Sequence, residues 1–168
     1  RNEHRRYPVL YALHGSPGAT PDWFVAGQAQ RILTELIQDH RIRPCILLTA
    51  QVTAGAHDLD EPLNEPGGPQ YATFVAHDMV HWADQHLRTI RTASARTIIG
   101  MSSGGLGALD IGVQNPGVFG SVVSLLPYLH PYTRLVTHNA EAFAEDSPIT
   151  EAAQFPAVTG QRFYLGQD

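Results

Sequence analysis

The 168-residue chain contains no lysine: all eleven basic residues are arginine, set against sixteen acidic ones for a formal charge of −5. That removes lysine as a nucleophile or Schiff-base former, and the acidic balance argues against a basic surface that tracks phosphates. Nucleic acid is therefore not an expected partner. There is one cysteine, Cys45, so no disulfide forms within the chain. No apolar run approaches the ~18 to 20 residues that cross a bilayer, and no basic, apolar and small-residue succession resembles a leader. Membrane contact is expected only if a segment N-terminal to this chain supplies it. Internal repeats and low-complexity tracts are also missing.

Hydrophobic residues make up 43% of the sequence. The length matches one domain, and a chain of this size buries roughly 70% of its unfolded surface without a metal or disulfide staple. A single domain over residues 1–168 is expected. Short β-rich runs at 7–13, 46–51, 97–100, 119–126 and 162–165 read as strands. Helical spacing appears at 26–39, 71–88 and 103–114, the last stopping before Asn115-Pro116. Residues 53–70 hold turn formers and acids and read as a long loop, and 127–161 read as irregular. Alternating strands and helices predict an α/β fold, with a mostly parallel central sheet and helices on both faces.

Gly100-Met-Ser-Ser-Gly104 fits G-x-S-x-G, with a strand expected before it and a helix after it. In that context the serine sits on a strained strand-to-helix turn, and glycines flank it because side chains there collide with neighbouring backbone. Ser102 is the candidate nucleophile. The helix start offers free N–H groups and the positive end of its dipole, so the Ser103 N–H can meet a developing oxyanion. A second donor is expected from the loop after an earlier strand. His14-Gly-Ser-Pro-Gly18 is placed for this, with Gly15 letting the Ser16 N–H face the site.

These segments are together similar to a known family. Val9-Leu-Tyr-Ala-Leu-His-Gly15, Asp22-Trp23-Phe24, Gly100-Met-Ser-Ser-Gly-Gly-Leu-Gly-Ala108 and Asn115-Pro-Gly-Val-Phe-Gly120 resemble the esterase D family of α/β-hydrolases, which includes S-formylglutathione hydrolases, feruloyl and acetyl xylan esterases and secreted mycolyltransferases. The resemblance implies ester hydrolysis through a serine acyl-enzyme, with no cofactor, on a small-molecule, glycan or lipid ester. It assigns Ser102 as nucleophile, Ser103 and Ser16 as oxyanion donors, and Asp168 as the catalytic acid. His14, Trp23 and His130 are the candidate substrate contacts, with packing the alternative for Trp23. In this fold the catalytic histidine follows the acid. The expectation is an incomplete domain whose histidine loop lies past residue 168, with His130 and His138 as the in-chain substitutes. An acyltransferase using the same intermediate, or a binding domain without catalysis, are the rival readings. An exported or tethered location is favoured over a cytoplasmic one.

Three other features carry weaker chemistry. His77 and His81 stand four apart on a helix, a spacing that can share a metal, although no third ligand is evident. Cys45 reads as a buried structural thiol. Asp58, Asp60, Glu61 and Glu65 lack the calcium-loop spacing and read as a solvated acidic loop beside the substrate cleft.

Overall fold

In the computed structural model, which describes residues 4–53, 61–148, 150 and 160–166, five apolar segments become strands. They are β1 (Val9–Leu13), β2 (Ile46–Thr49), β3 (Arg96–Met101), β4 (Ser121–Leu125) and β5 (Arg162–Gly166). They form one sheet in the order β2-β1-β3-β4-β5, and every neighbouring pair is parallel. Parallel neighbours need a crossover after each strand, and the helices supply it. α1 (Asp22–Val25) and α2 (Ala29–Gln38) follow β1. A continuous helical stretch follows β2, made of α3 (Tyr71–Thr73), a π-helical turn (Phe74–Met79) and α4 (Val80–His86). α5 (Ser103–Gln114) follows β3, while α6 (Arg134–Thr137) and α7 (Ala140–Glu145) follow β4.

Alternation along the strands decides what is buried. Val9, Tyr11, Leu13, Ile98 and Val122 are fully or almost fully buried, and they share a core with Val75, Ala76 and Ala83 of the stretch after β2 and with Ala108 and Ile111 of α5. Tyr11 meets Phe119 edge-on at 5.6 Å between ring centres. Of the intervening residues, Leu10, Thr97, Ile99 and Val123 are half-buried, while the small Ala12 is fully buried. At the opposite end of the sheet from Ser102, Arg96 pairs with Asp84 at 2.7 Å, and Thr89 donates its hydroxyl to the same carboxylate at 2.6 Å. Burial pushes the adjacent Tyr11 phenol up to about 12.

Three expectations are corrected. The helix expected over 26–39 starts three residues later, as α2, because Gln28 adopts φ 48°, and the short α1 ends before the expected range begins. The helix expected over 71–88 contains the π-helical turn. Residues 127–161 are not irregular throughout, because α6 and α7 lie there; at four and six residues both are too short for helical periodicity to register. Asn139 caps α7 by accepting the N–H groups of Glu141 and Ala142 at 3.1 Å.

Candidate active site

The strand order locates a crevice before any side chain is considered. β1 and β3 are neighbours, yet the chain visits β2 between them, so their C-terminal loops diverge from a shared point, where Leu13 pairs with Gly100. Open parallel sheets bind ligands at such a switch point. The two loops that leave it carry Ser16 and Ser102.

Ser102 is the pivot between β3 and α5, with φ 56° and ψ −119°. A non-glycine residue there costs on the order of 1 to 3 kcal/mol and persists only when its surroundings force it. The forcing is visible. The Ser102 N–H donates to the Leu125 carbonyl at 2.9 Å, and its own carbonyl accepts from Leu106 at 3.0 Å. A Cβ on Gly100 would land on the Gly104 carbonyl, and one on Gly104 would overlap the carbonyls of Leu13 and His14. Both motif glycines are thus demanded by contact, because the first turn of α5 is pressed against its own strand and against the end of β1. Ser103 is buried and Ser102 is only half-buried. Ser103 also begins a twelve-residue helix, whose first N–H groups lack partners within the helix.

The loop after β1 lies directly against this pivot. A Cβ on Gly15 would stand 3.1 Å from the Met101 carbonyl and 3.3 Å from the Ser102 Cβ. His14 holds the loop from inside, at 2% exposure. Its Nε2 accepts the Val52 N–H at 3.3 Å, which leaves the proton on Nδ1 to be donated to the Gly15 carbonyl at 2.9 Å. Asp22 accepts the Ala19 N–H at 2.8 Å, and Thr49 donates its hydroxyl to the Thr20 carbonyl at 3.1 Å, fixing the far side of the loop to α1 and β2. Ser16, half-buried, follows Gly15.

The other candidates are spread more widely. Trp23 is half-buried in α1, beside the exposed Phe24. His130 is exposed and stacks on Phe143 with ring centres 5.9 Å apart, and His138 is exposed at the end of α6. Among the described residues no histidine is hydrogen-bonded to Ser102. Asp168, Asp58 and Asp60 lie outside the described residues. His77 and His81 are both exposed, and His81 contacts the Gln85 amide at 2.7 Å. Among the described residues no three histidine, cysteine or acidic side chains converge on a metal position. Cys45 is half-buried, and burial pushes its thiol up.

Glu61 and Glu65 require a correction, since they are 0% and 4% exposed and not solvated. Segment 61–63 packs inward: Leu63 joins Leu106 and Val136 in a second apolar cluster, and Pro62 fills the space where Gly107 of α5 has no side chain. The Glu61 carboxylate accepts the Tyr132 N–H on both oxygens at 3.0 Å, the Thr133 N–H at 3.0 Å and the Thr133 hydroxyl at 2.8 Å. Nearby, burial above all, and then the charges of Glu145, Glu61 and Glu65, push Asp146 up to about 7. Glu65, Glu145 and Asp146 line a groove of about 710 Å³ with Asn64, Gln70 and Gln114, none of which belongs to the Ser102 pivot or the 14–18 loop.

This geometry has known counterparts. The model of the Esterase family, described as "Putative esterase", matches residues 1–167. The chain belongs to the Esterase family. Within the esterases it is 30% identical over 126 residues to Esterase Rv1288 of Mycobacterium tuberculosis, covering 74% of this chain and 26% of that protein. It is 29% identical over 129 residues to the protein YjcH of Bacillus subtilis, covering 74% of this chain and 50% of YjcH. The chain thus spans half or less of the length of these relatives. A solved ferulic acid esterase superposes with a TM-score of 0.80 at 22% identity, over 93% of this chain and 62% of that one. The fold of this esterase-family chain is accordingly that of the α/β-hydrolases.

Proposed function

We propose that the protein cleaves carboxylic esters through an acyl-enzyme on Ser102. The observation that carries this reading is the backbone of Ser102 itself: a serine at φ 56°, pinned at the head of α5 and next to the switch-point loop. Strain of that kind at a half-buried hydroxyl suits a nucleophile that must stand clear of its own helix. Ser102 Oγ attacks the ester carbonyl carbon and passes its proton to a general base. The carbonyl oxygen gains charge and is held by the N–H groups of Ser103 and Ser16. Collapse of the tetrahedral adduct expels the alcohol, and water then releases the acid by the reverse sequence.

The base in this reading is a histidine, ordered in turn by an acid for which Asp168 is the candidate. His14 serves the loop, since both of its ring nitrogens are engaged there. Its expected contact with substrate is thereby replaced by a positional one. Trp23 and His130 are assigned to the substrate side. An aryl ester of the feruloyl type is the first substrate to assay, given the similarity to a ferulic acid esterase and the edge-on Tyr128 and Tyr132 rings, 5.1 Å apart, on the loop after β4. A fluorophosphonate probe is expected to label the full-length protein at Ser102 and the Ser102→Ala variant not at all. A folded wild-type protein that neither labels nor hydrolyses methyl ferulate or p-nitrophenyl acetate overturns the reading.

A further inference from the structure

We infer that Glu61 is a positioning residue for acyl-group recognition, because its buried carboxylate holds residues 126–133 in place beside the Ser102 pivot. This rests on the Ser102 reading and goes beyond it by naming what shapes the wall of the site.

The loop begins at the pivot. Leu125 accepts the Ser102 N–H, and Leu126 turns away with φ 51°, which sets the direction in which the chain leaves the sheet. A segment launched by one strained residue needs a second fixed point, and Glu61 provides it six and seven residues later, at Tyr132 and Thr133. Between these anchors Tyr128 packs against the cluster of Leu63, Leu106 and Val136, with the Glu61 carboxylate near its phenol. Burial first and the Glu61 carboxylate second hold that phenol above the ordinary tyrosine range.

The chemistry selects a carboxylate. The loop presents only donors to Glu61: two main-chain N–H groups and one hydroxyl. Both oxygens of a carboxylate accept, and bonds to a charged acceptor are about twice as strong as neutral ones. All three donors reach Oε2 and the Tyr132 N–H also reaches Oε1, so a glutamine that keeps its oxygen at Oε2 sets an NH₂ against the Tyr132 N–H and gives up the charge. A buried carboxylate is costly without such partners, so the arrangement works only while the loop is closed onto it. Glu61 touches neither Ser102 nor, in this reading, the substrate; it acts through the loop.

The test uses the full-length protein, with steady-state hydrolysis of p-nitrophenyl acetate and p-nitrophenyl octanoate, thermal melting, and fluorophosphonate labelling. Glu61→Gln is expected to remain labelled at Ser102 while losing tenfold or more in kcat/KM for the octanoate, mainly through KM, and less than threefold for the acetate. Thr133→Val, which deletes one donor and keeps the shape, is expected to shift the same ratio in the same direction by two- to fivefold; it decides the matter if Glu61→Gln does not fold. An unchanged octanoate-to-acetate ratio in the folded variants, or an equal loss for both esters that follows the melting temperature, overturns the positioning role and leaves the Ser102 reading standing. A folded wild-type protein inert to both esters and to the probe overturns both.

Discussion

The Val52 N–H donates to Nε2 of His14 at 3.3 Å, so the first residue after β1 is held by the segment that follows β2. The loop carrying Ser16 is thereby tied to a strand other than its own. Replacing His14 with alanine removes one buried and one part-buried hydrogen bond and leaves the Val52 N–H unmatched, at an expected cost of about 2 to 4 kcal/mol. Urea unfolding measures that loss. Labelling of Ser102 in the full-length protein is expected to slow about tenfold as Gly15 loses its support; an unchanged rate would detach the loop from the site.

Glycine substitutions separate contact from mere flexibility. Gly100→Ala forces a methyl into the Gly104 carbonyl, where only backbone can move, and is expected to cost more than about 4 kcal/mol or to prevent folding. Gly117→Ala meets nothing within 4 Å and is expected to be neutral, or to stabilise by about 0.4 to 1 kcal/mol through the unfolded chain. Thermal melts of the two proteins side by side check the contrast.

Ser102→Gly relieves the backbone while removing the hydroxyl. The variant is expected to be inactive and unlabelled yet more stable, by on the order of 1 kcal/mol, which is a rise of about 2 to 4 °C in melting temperature for a domain of this size. A lower melting temperature would show that the pivot is not strained.

Asp146 gives the stability a pH dependence of known sign. Its carboxyl is raised from 3.8 to about 7 in the folded protein, so the neutral form is favoured by folding. The contribution is complete below about pH 4 and is lost as the pH rises towards 7 and beyond. Asp146→Asn is expected to be more stable than wild type at pH 8, by up to about 4 kcal/mol, and to lose most of that advantage at pH 5. Urea titrations at the two pH values give the comparison, and an equal difference at both would rule out ionisation as the cause.

The strand-and-helix frame was legible because its signals are local. The 103–114 helix matches α5 at both ends, since Asn115-Pro116 stops it and the pivot starts it. The G-x-S-x-G pattern marked Ser102 because both glycines stand two residues from it, although only the Gly100 collision, with Gly104, is local; the one that demands Gly104 is with Leu13 and His14. Glu61 was not legible: its partners lie 71 and 72 residues away, and an acid between turn formers looks like any solvated one. The small residue facing Pro62, Gly107, was the one hint that segment 61–63 packs inward. Val52 was equally silent, because a main-chain donor leaves no mark on the residue type.

α5 contains four glycines, Gly104, Gly105, Gly107 and Gly112, and every residue from Ser103 to Val113 is buried. Relative to alanine those glycines weaken the helix by about 3 to 4 kcal/mol, and a twelve-residue segment is marginal even with good formers. Such a helix has no existence apart from the strands and the Pro62 segment that close around it. The turn that presents Ser102 is therefore a late product of assembly with no fraying mode of its own. Hydrogen-bonded amide protons in the middle of α5 are expected to exchange only when the sheet opens, and a chemically competent Ser102 reports that the surrounding domain is folded.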